Sequence, residues 1–517
     1  MLRNRKLTKK EENDDSTKAD NVIQRKTKKF SSYKLIVFIF IIRLINSFTI
    51  QTYFQADEYY QALEPAHNFI YGYGYMTWEW KQQLRSSIHP LIYALGYKLA
   101  GENGFLIHSI PKIINAIIAT SIEYNLYKFV EVYDSDYGLT TLILSLLNPF
   151  NWYVITRSFS NNLETMLTVI ALRFWPWDYK LKTSSRWFIS LGVGLTSCII
   201  RPTNILIWLP LGIWLLLKAD RITFKWVLVS ISEVVLILCI NTYLDYYFYQ
   251  KLTFPLYNFL EFNVFKNLSI FYGSAPWHFY IGQAIPLMMM LYLPLMVFGI
   301  RLNVLTVTSF IYVVGFSLIE HKEFRFIYPL QPIMLYFSAI GYRKLKPRRS
   351  IIAIAIVLNI CIGLFFTLVN ERGVIDVIQY LQKQLQQSPT EKSIGFITPC
   401  HSTPWQSQFH DAKLDAWFLT CEPPLHLDKP SSEEISSYRD ESDQFYDSPL
   451  EFLQLHLGND LPYPEYLIIF QPLEQLIDEN LGDEYYQCQR FFNSYFHWDS
   501  RRSGDIIVYC RDHRAHG

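Results

Sequence analysis

Residues 351–369 read IIAIAIVLNICIGLFFTLV, a stretch without a charged side chain. An apolar stretch of about 17–25 residues crosses the hydrocarbon core of a bilayer as an α-helix. Similar apolar runs occur at residues 35–42, 205–217 and 284–300. Half of the chain is apolar and only 18% is charged, against roughly 25% in soluble proteins. We therefore predict a polytopic α-helical membrane protein and exclude a soluble globular one.

The basic loops between the apolar runs set the predicted topology. Residues 343–349 hold five Lys or Arg side chains, and residues 180–186 and 218–225 hold three each. Basic loops that flank membrane spans stay in the cytosol. This condition gives about eleven spans, a cytosolic N-terminus and a luminal C-terminus. The predicted spans are residues 35–53, 106–127, 137–155, 162–177, 187–200, 202–217, 226–244, 280–300, 302–319, 326–341 and 350–369.

Charge and hydropathy divide the chain into three predicted parts. Residues 1–34 hold 11 basic against 5 acidic side chains and are expected to form a disordered cytosolic tail. Residues 35–370 form the membrane domain, with a first luminal loop at residues 54–105. Residues 371–517 hold 24 acidic against 11 basic side chains and are expected to form a luminal α/β domain. The net charge of +1 gives no indication of nucleic-acid binding.

Four cysteines, Cys400, Cys421, Cys488 and Cys510, lie in the predicted luminal domain. They form no CxxC pair, which argues against a zinc site. In an oxidising lumen they are disulfide candidates with three possible connectivities, and Cys400–Cys421 is the expected bridge. Four unpaired thiols remain the alternative. Asn267 begins an Asn-Leu-Ser sequence in a predicted luminal loop and is a candidate for N-glycosylation.

The first luminal loop carries a stripe of polar side chains. Asp57, Gln61, Glu64 and Asn68 are spaced so that an α-helix places them on one face, whereas Glu58 points elsewhere. A carboxylate stripe at the mouth of a membrane cavity is suited to accepting a proton from a hydroxyl group. The alternative is an amphipathic surface helix with a solvated face.

Aromatic and charged side chains follow in the same loop. Trp78, Glu79 and Trp80 are adjacent, and Arg85 and His89 are one helical turn apart. Aromatic faces beside carboxylates are a common setting for sugars, and the Arg–His pair is suited to an anionic group. The alternative is an anchor at the membrane interface, where Trp and Tyr are enriched.

A further polar group lies between the ninth and tenth predicted spans, and two arginines lie in other loops on the same predicted side. These residues are His321, Lys322, Glu323, Arg325, Arg157 and Arg201. A shared side of the membrane suits a lipid phosphate approached from the bilayer. The alternative for each cation is a helix end whose side chain reaches the interface.

Asp134-Ser135-Asp136 has the spacing of metal-bound nucleotide-sugar sites. The predicted topology places it in the cytosol, opposite the other polar groups, and such short acidic patterns are frequent by chance. The sequence has no P-loop, GxGxxG, HExxH or GxSxG pattern.

The polar stretches resemble those of a known family. Phe54–Glu64, Thr77–Trp80 with Arg85, and His321–Phe326 resemble the endoplasmic reticulum mannosyltransferases that use dolichyl-phosphate mannose. The resemblance implies the multi-span GT-C fold and a role in glycosylphosphatidylinositol (GPI) anchor synthesis or N-glycan precursor assembly. Thr77–Trp80 and Pro399–Trp405 are most similar to the members that add the third, α1,2-linked mannose of the GPI anchor.

The resemblance also implies a mechanism and a setting. A β-linked donor and an α-linked product imply inversion by direct displacement, with Asp57 as the base and Glu58 as the substitute candidate. Lys322, Arg325, Arg201 or Arg157 would hold the phosphate, while Trp78, Glu79 and Trp80 would contact a sugar. With these cations in place the implied reaction needs no metal, and we predict no metal and no cofactor. The expected partners are dolichyl-phosphate mannose, a two-mannose GPI precursor and the endoplasmic reticulum membrane, and no protein partner is predictable.

Two alternatives to this function remain at the level of sequence. One is a sister enzyme that adds the fourth GPI mannose or an α1,2- or α1,6-linked mannose of the N-glycan precursor. The other is a lipid transporter. Many transporters show internal repeats with paired broken helices, and Arg201-Pro202 has no counterpart in the other half of the chain.

Overall fold

The computed structural model describes residues 32–181, 185–266, 268, 271, 273–387, 393–427 and 431–512. Residues 1–31 of the predicted tail and the predicted glycosylation site at Asn267 lie outside the described residues. Most of the described chain is helical, and a five-stranded sheet lies near the C-terminus.

Helices occupy all eleven segments that the sequence predicts to cross the membrane. Within the described chain, five helical segments are long and apolar enough to do so by length and composition: Ser32–Thr49, Gly104–Tyr133, Phe224–Tyr249, Tyr280–Gly299 and Arg349–Gln387. Shorter apolar helices are Gly138–Leu147, Arg186–Ile200, Pro202–Lys218 and Val304–Leu318. The remaining predicted spans correspond to Ser160–Phe174 and Gln331–Leu345.

Caps and prolines explain why some predicted spans are not single α-helices. The side chain of Asn148 caps the helix Pro149–Val154, so the predicted span 137–155 is divided in two. Phe324–Leu330 is a 3₁₀-helix that contains Pro329. Membrane proteins tolerate such breaks where neighbouring helices satisfy the freed backbone groups.

The first loop (residues 54–105) is largely helical. Its helices are Tyr59–Leu63, Glu64–Tyr71, Trp78–Lys81 and Ile88–Ala100. A later loop, before residue 280, contains the helices Pro255–Leu260 and Glu261–Phe265. Tyr59–Leu63 is a π-helical turn that continues directly into Glu64–Tyr71. A π turn takes up one residue more than an α turn, and each residue of an α-helix advances by about 100°. The α-helical face predicted for Asp57 and Glu64 is therefore broken between them.

The C-terminal region (residues 371–517) contains a mixed five-stranded sheet. Its strands are β1 (Ser393–Ile397), β2 (Asp415–Phe418), β3 (Tyr466–Phe470), β4 (Tyr485–Ser494) and β5 (Gly504–Arg511), in the order β2-β1-β3-β5-β4. β1 pairs in parallel with β2 and β3, whereas β5 runs antiparallel to β3 and β4. The helices of this region are Gly373–Gln387, Gln406–Phe409, Ser432–Ser437, Glu441–Asp447, Pro449–His456 and Glu474–Leu481.

Two disulfide bonds cross-link the C-terminal region. Cys400–Cys421, the expected bridge, links the segments that follow β1 and β2. Cys488–Cys510 joins β4 to β5. The segment around Cys400 is thereby held beside the edge of the sheet that faces the first loop.

An apolar cluster joins the first loop to the C-terminal region. Tyr60 and Tyr97 of the loop pack in one buried cluster with Phe396 and Trp405. The hydroxyl of Tyr60 also donates to the carbonyl oxygen of Thr403 at 3.0 Å. The C-terminal region therefore packs directly against the loop that carries the predicted catalytic carboxylates.

Candidate active site

Arg325 joins two carboxylates that are far apart in sequence. Its Nη2 donates to Asp57 Oδ2, and its Nε and Nη2 donate to the two oxygens of Glu323 at 2.8 and 2.9 Å. The Arg325 side chain is only 4% exposed, whereas Asp57 is 23% and Glu323 is 20% exposed. A buried guanidinium thus holds two carboxylates that remain open to an approaching molecule.

A second ion pair, between Arg85 and Glu79, acts electrostatically on Asp57. Arg85 donates from Nε and Nη2 to the carboxylate of Glu79 at 2.8 and 2.7 Å, the bidentate geometry of strong pairs. Gln61 Nε2 lies 3.4 Å from the same carboxylate. The charges of both Glu79 and Arg85 affect the pKa of Asp57. The first loop and the segment around residue 323 therefore converge, as the sequence predicts.

Asp57 and Glu323 differ in their readiness to take up a proton. Burial raises the pKa of Asp57; Arg325 opposes this effect, and the charge of Glu323 adds to it. Burial also acts to raise the pKa of Glu323, but Arg325 and His321 outweigh it and hold that pKa below its usual range. Glu323 therefore carries the fixed negative charge, and Asp57 is the better proton acceptor.

Arg201 adds a third guanidinium to this region. Its Nε lies 3.2 Å from Glu164 Oε2, and its guanidinium lies 5.1 Å from the centre of the Phe326 ring. Burial lowers the pKa of Arg201, and the positive charges of Arg325 and Arg85 lower it further. Each of the three guanidiniums is paired with a carboxylate, and their positive charges act on one another across one region.

Glu164, the partner of Arg201, was not predicted from the sequence. Glu164 is fully buried in the helix Ser160–Phe174, and its other oxygen accepts from Asn204 Nδ2 at 2.8 Å. A signal was present in the sequence, because an acidic residue inside an apolar segment is expensive and usually functional or paired. The contact holds Arg201 beside the site.

Glu58 and Arg157 form a closed pair instead of an open site. Arg157 Nη1 donates to Glu58 Oε2 at 2.8 Å, and the side chain of Arg157 is 0% exposed and that of Glu58 is 10% exposed. The other guanidinium hydrogen bonds go to Thr52 and to the carbonyl oxygen of Tyr153. All three nitrogens of Arg157 are therefore engaged, and the expectation that Arg157 holds the phosphate does not fit this geometry.

Glu64 points away from Asp57 and into the C-terminal region. Its Oε1 accepts the backbone N–H groups of Trp405 at 3.1 Å and Ser407 at 3.0 Å. Burial raises the pKa of Glu64 to about 7, although these hydrogen bonds lower it. The π turn between Asp57 and Glu64 breaks the predicted stripe, so Glu64 joins two parts of the structure instead of contacting substrate.

Three other predicted substrate contacts are buried. Trp78 packs against Phe262 with ring centres 4.8 Å apart, and Trp80 Nε1 donates to the carbonyl oxygen of Tyr60 at 3.0 Å. His89 is buried as well, which lowers its pKa to about 3 and keeps it neutral. Neither tryptophan offers an open face to a sugar, and His89 is not placed to meet an anion.

His321 and Lys322 shape the segment that carries Glu323. His321 Nε2 lies 3.3 Å from Glu323 Oε1. Lys322 Nζ donates to the carbonyl oxygens of Ala275 at 2.7 Å and Glu320 at 3.4 Å. Lys322 therefore holds backbone carbonyl groups, which leaves Arg325, Arg201 and Arg85 as the cations that act electrostatically on this region.

The Asp-Ser-Asp sequence is held by cations of its own. Asp134 Oδ2 accepts from Arg301 Nη1 at 3.1 Å and from the Tyr336 hydroxyl at 3.0 Å. The carbonyl oxygen of Asp136 accepts from Arg343. These arginines belong to the loops that the sequence predicts to be cytosolic. The motif thus has a structural explanation separate from the candidate site.

One group in the described part of the chain brings three possible metal ligands together. It consists of Cys400, His401 and Cys421. The two sulfur atoms are bonded to each other, and a metal requires deprotonated thiolates. The group therefore does not fit a metal ion in this oxidised form.

The solved structures supply a match for the fold. The crystal structure of ArnT from Cupriavidus metallidurans bound to undecaprenyl phosphate has a TM-score of 0.60 and 10% sequence identity, covering 92% of this chain and 97% of that one. A second structure of ArnT, in the apo state, gives a TM-score of 0.55. The predicted GT-C fold is confirmed, so the chain belongs to the structural class of multi-span membrane proteins with this fold.

Sequence comparison narrows this class to a family. A model of the Alg9-like mannosyltransferase family matches residues 34–410. A Candida albicans protein named GPI mannosyltransferase 3 is 70% identical over 93% of this chain and 98% of its own length. A zebrafish (Danio rerio) protein named GPI alpha-1,2-mannosyltransferase 3 is 35% identical over 94% of this chain and 91% of its own length. The chain belongs to the Alg9-like mannosyltransferase family.

Proposed function

We propose that the protein transfers the third mannose of the GPI anchor, in α1,2 linkage, from dolichyl-phosphate mannose to a two-mannose GPI precursor. The acceptor assignment is supported by the relatives, since one named GPI mannosyltransferase 3 is 70% identical over nearly the whole chain. The chemistry is supported by one geometric observation, the open Asp57 carboxylate on the buried Arg325 guanidinium.

In the proposed reaction, the oxygen of the acceptor's 2-hydroxyl group attacks C1 of the donor mannose. The bond between C1 and the phosphate oxygen breaks, its electron pair leaves with dolichyl phosphate, and the configuration at C1 inverts. Asp57 takes the hydroxyl proton as general base. Phosphate is a good leaving group, so the reaction does not need the second, acidic carboxyl group of a glycoside hydrolase.

Guanidinium groups would stabilise the charge that develops on the phosphate. Arg201 and Arg85 are the candidates, because both retain partial exposure and both act electrostatically on the same region. Arg325 would hold Asp57 in place and share its positive charge with the site. Preorganised cations of this kind are worth more in a water-poor site than in solution. The proposed reaction uses no metal or cofactor.

We place the proposed site on the luminal side of the endoplasmic reticulum membrane. The support is the predicted topology, in which the first loop, the segment around residue 323 and the C-terminal region share one side. The two disulfides in the C-terminal region fit an oxidising compartment. Protection of the C-terminal region from protease in sealed microsomes is the expected result, and its digestion from the cytosolic face would contradict this orientation.

The acceptor assignment is tested by depleting the protein from cells and analysing the accumulated GPI precursors. A build-up of the two-mannose precursor, reversed by the wild-type chain but not by an equally abundant Asp57→Asn variant, is the expected result. A build-up of three-mannose precursor would instead indicate the enzyme for the fourth mannose. Shortened N-glycan precursors with normal GPI precursors would indicate the N-glycan branch of the family.

A further inference from the structure

A cavity lies between the first loop and the C-terminal region, outside the cluster of ion pairs. Its volume is about 360 Å³, within the range of small-molecule binding sites. Five of its lining residues are aromatic, two from the loop and three from the C-terminal region. They are Tyr73, Tyr75, Trp405, Trp417 and Phe418.

The aromatic walls of this cavity are held by contacts between rings. Phe418 meets Tyr75 edge to face with ring centres 4.9 Å apart, and meets Trp405 in the same way at 4.8 Å. Trp417 is fixed by its Nε1, which donates to the carbonyl oxygen of Pro462 at 3.1 Å. Edge-to-face packing is a favourable geometry for aromatic pairs. The cavity is therefore formed before any ligand enters.

Polar groups are available at the rim. β2 (Asp415–Phe418) supplies Ala416, Trp417 and Phe418 to the lining and is an edge strand of the sheet. An edge strand has backbone N–H and C=O groups that no neighbouring strand pairs. Gln406 also lines the cavity, and its amide is oriented by two hydrogen bonds with the backbone of Asp411. Aromatic faces with neutral polar groups at the rim match a sugar ring, which has apolar C–H faces and hydroxyl edges.

The cavity is close to the catalytic carboxylate. Tyr75 of the cavity wall contacts Tyr60 edge to face with ring centres 6.4 Å apart. Tyr60 follows Asp57 by three residues, so the two Cα atoms are at most about 11 Å apart along the chain. Tyr60 therefore links the cavity wall to the segment that carries Asp57.

We propose that this cavity binds an inner sugar of the acceptor glycan while the terminal mannose lies at Asp57. The inference rests on the proposed function, because it requires an acceptor with several sugars. The lining carries aromatic and neutral polar side chains and none of the charged residues of the ion-pair cluster, so a neutral sugar fits it better than a phosphate. The aromatic residues that line this cavity, rather than the buried Trp78 and Trp80, would then contact a sugar.

The inference is tested by filling the cavity with Ala416→Phe. Binding of the water-soluble head group of the two-mannose GPI precursor to purified protein is measured by titration, and steady-state transfer to the intact precursor is measured in parallel. We expect the head-group Kd and the acceptor KM to rise about tenfold, which corresponds to about 1.4 kcal/mol. The KM for dolichyl-phosphate mannose and kcat should stay within about twofold, which also shows that the variant is folded.

Trp417 provides a second variant with a graded control. Trp417→Ala should weaken head-group binding, Trp417→Phe should restore most of it, and Trp498→Ala, at a site 87% exposed in the same region, should change nothing. Unchanged head-group binding in both Ala416→Phe and Trp417→Ala would overturn the inference, and so would an equal rise in the donor KM. A wild-type protein that neither binds the head group nor transfers to the precursor would refute the proposed function itself.

Discussion

Asp57 and Glu58 are neighbours in sequence, and each pairs with an arginine, yet the two pairs have opposite environments. The Asp57–Arg325 pair keeps its carboxylate 23% exposed, whereas the Glu58–Arg157 pair is closed and its arginine is completely buried. Arg157 directs its other hydrogen bonds to two backbone carbonyl oxygens and to the Thr52 hydroxyl. Arg325 directs its other hydrogen bonds to Glu323, which is itself open, and to Asn161 Oδ1.

The difference shows that proximity to a cation does not define a catalytic carboxylate. A base must be able to reach the hydroxyl proton that it removes. The open pair meets this condition, and the closed pair has the features of a structural contact that fixes the first loop against the membrane helices.

The largest expected effect is on turnover in Asp57→Asn. The change keeps the size of the side chain but removes the proton acceptor, so mannose transfer should fall by about 10²–10⁴-fold. Folding and membrane insertion should change little. The measurement is transfer from dolichyl-phosphate mannose to a two-mannose GPI precursor in microsomes with matched protein levels. Transfer within about threefold of wild type would remove Asp57 from the mechanism.

Glu58→Gln should act on stability instead. It leaves the buried Arg157 charge without a counter-ion, and breaking a buried pair from one side costs about 3–5 kcal/mol. The expected result is a lower midpoint of thermal unfolding in detergent, with normal turnover per folded molecule. Glu58→Gln combined with Arg157→Met should regain part of the lost stability. Normal stability with abolished turnover would exchange the roles of Asp57 and Glu58.

Glu64 extends the comparison to a third carboxyl group, which binds backbone N–H groups and no arginine. Glu64→Ala leaves two buried donors without an acceptor, at about 1–3 kcal/mol each, whereas Glu64→Gln keeps an acceptor oxygen. Because burial raises the pKa of Glu64 from 4.5 to about 7, the folded state binds the proton more tightly than the unfolded state. Its stabilising contribution is therefore present at low pH and lost as the pH rises from about 4.5 to about 7.

The measurement for Glu64 is thermal unfolding across that pH range. Glu64→Ala should unfold at a lower temperature than Glu64→Gln at every pH. The wild-type protein should lose stability relative to Glu64→Gln as the pH rises. If the unfolding temperatures of the wild-type protein and of Glu64→Gln changed with pH in the same way, Glu64 would not hold a proton in the folded state over this pH range.

The smallest expected effect is a shift in the pH profile of Glu323→Gln. The charge of Glu323 raises the pKa of Asp57, so removing that charge should lower this pKa. Transfer requires deprotonated Asp57, and the acidic limb of kcat/KM should therefore move to lower pH. The control is Glu79→Gln, whose charge acts on Asp57 less strongly and should give a smaller shift in the same direction. A shift to higher pH would contradict the coupling.

The fold was largely predictable because long apolar runs and basic loops follow directly from bilayer thickness and charge. The sequence did not reveal where helices break. Asn148 divides one predicted span because its side chain caps the next helix. Such a cap depends on local hydrogen bonding that a hydropathy average does not register.

The candidate site was predictable in part. The residue types and the shared side of the membrane led to Asp57 and Arg325, which are in contact. An α-helical period led to the wrong position for Glu64, because a π turn has no clear sequence signature. Trp78 and Trp80 were misassigned since a tryptophan in a loop looks the same whether its ring packs inward or faces a ligand. The partner of Arg201, Glu164, was overlooked although its position in an apolar helix was a usable signal.

If the open carboxylate is the base, a small external carboxylate should restore mannose transfer to Asp57→Ala. Formate is a small carboxylate that can enter the space left by the deleted side chain and accept the proton in its place. We predict that formate raises the rate of mannose transfer by Asp57→Ala and leaves Glu58→Ala unchanged at equal levels of folded protein. Rescue of Glu58→Ala, with none for Asp57→Ala, would contradict the account and make Glu58 the base.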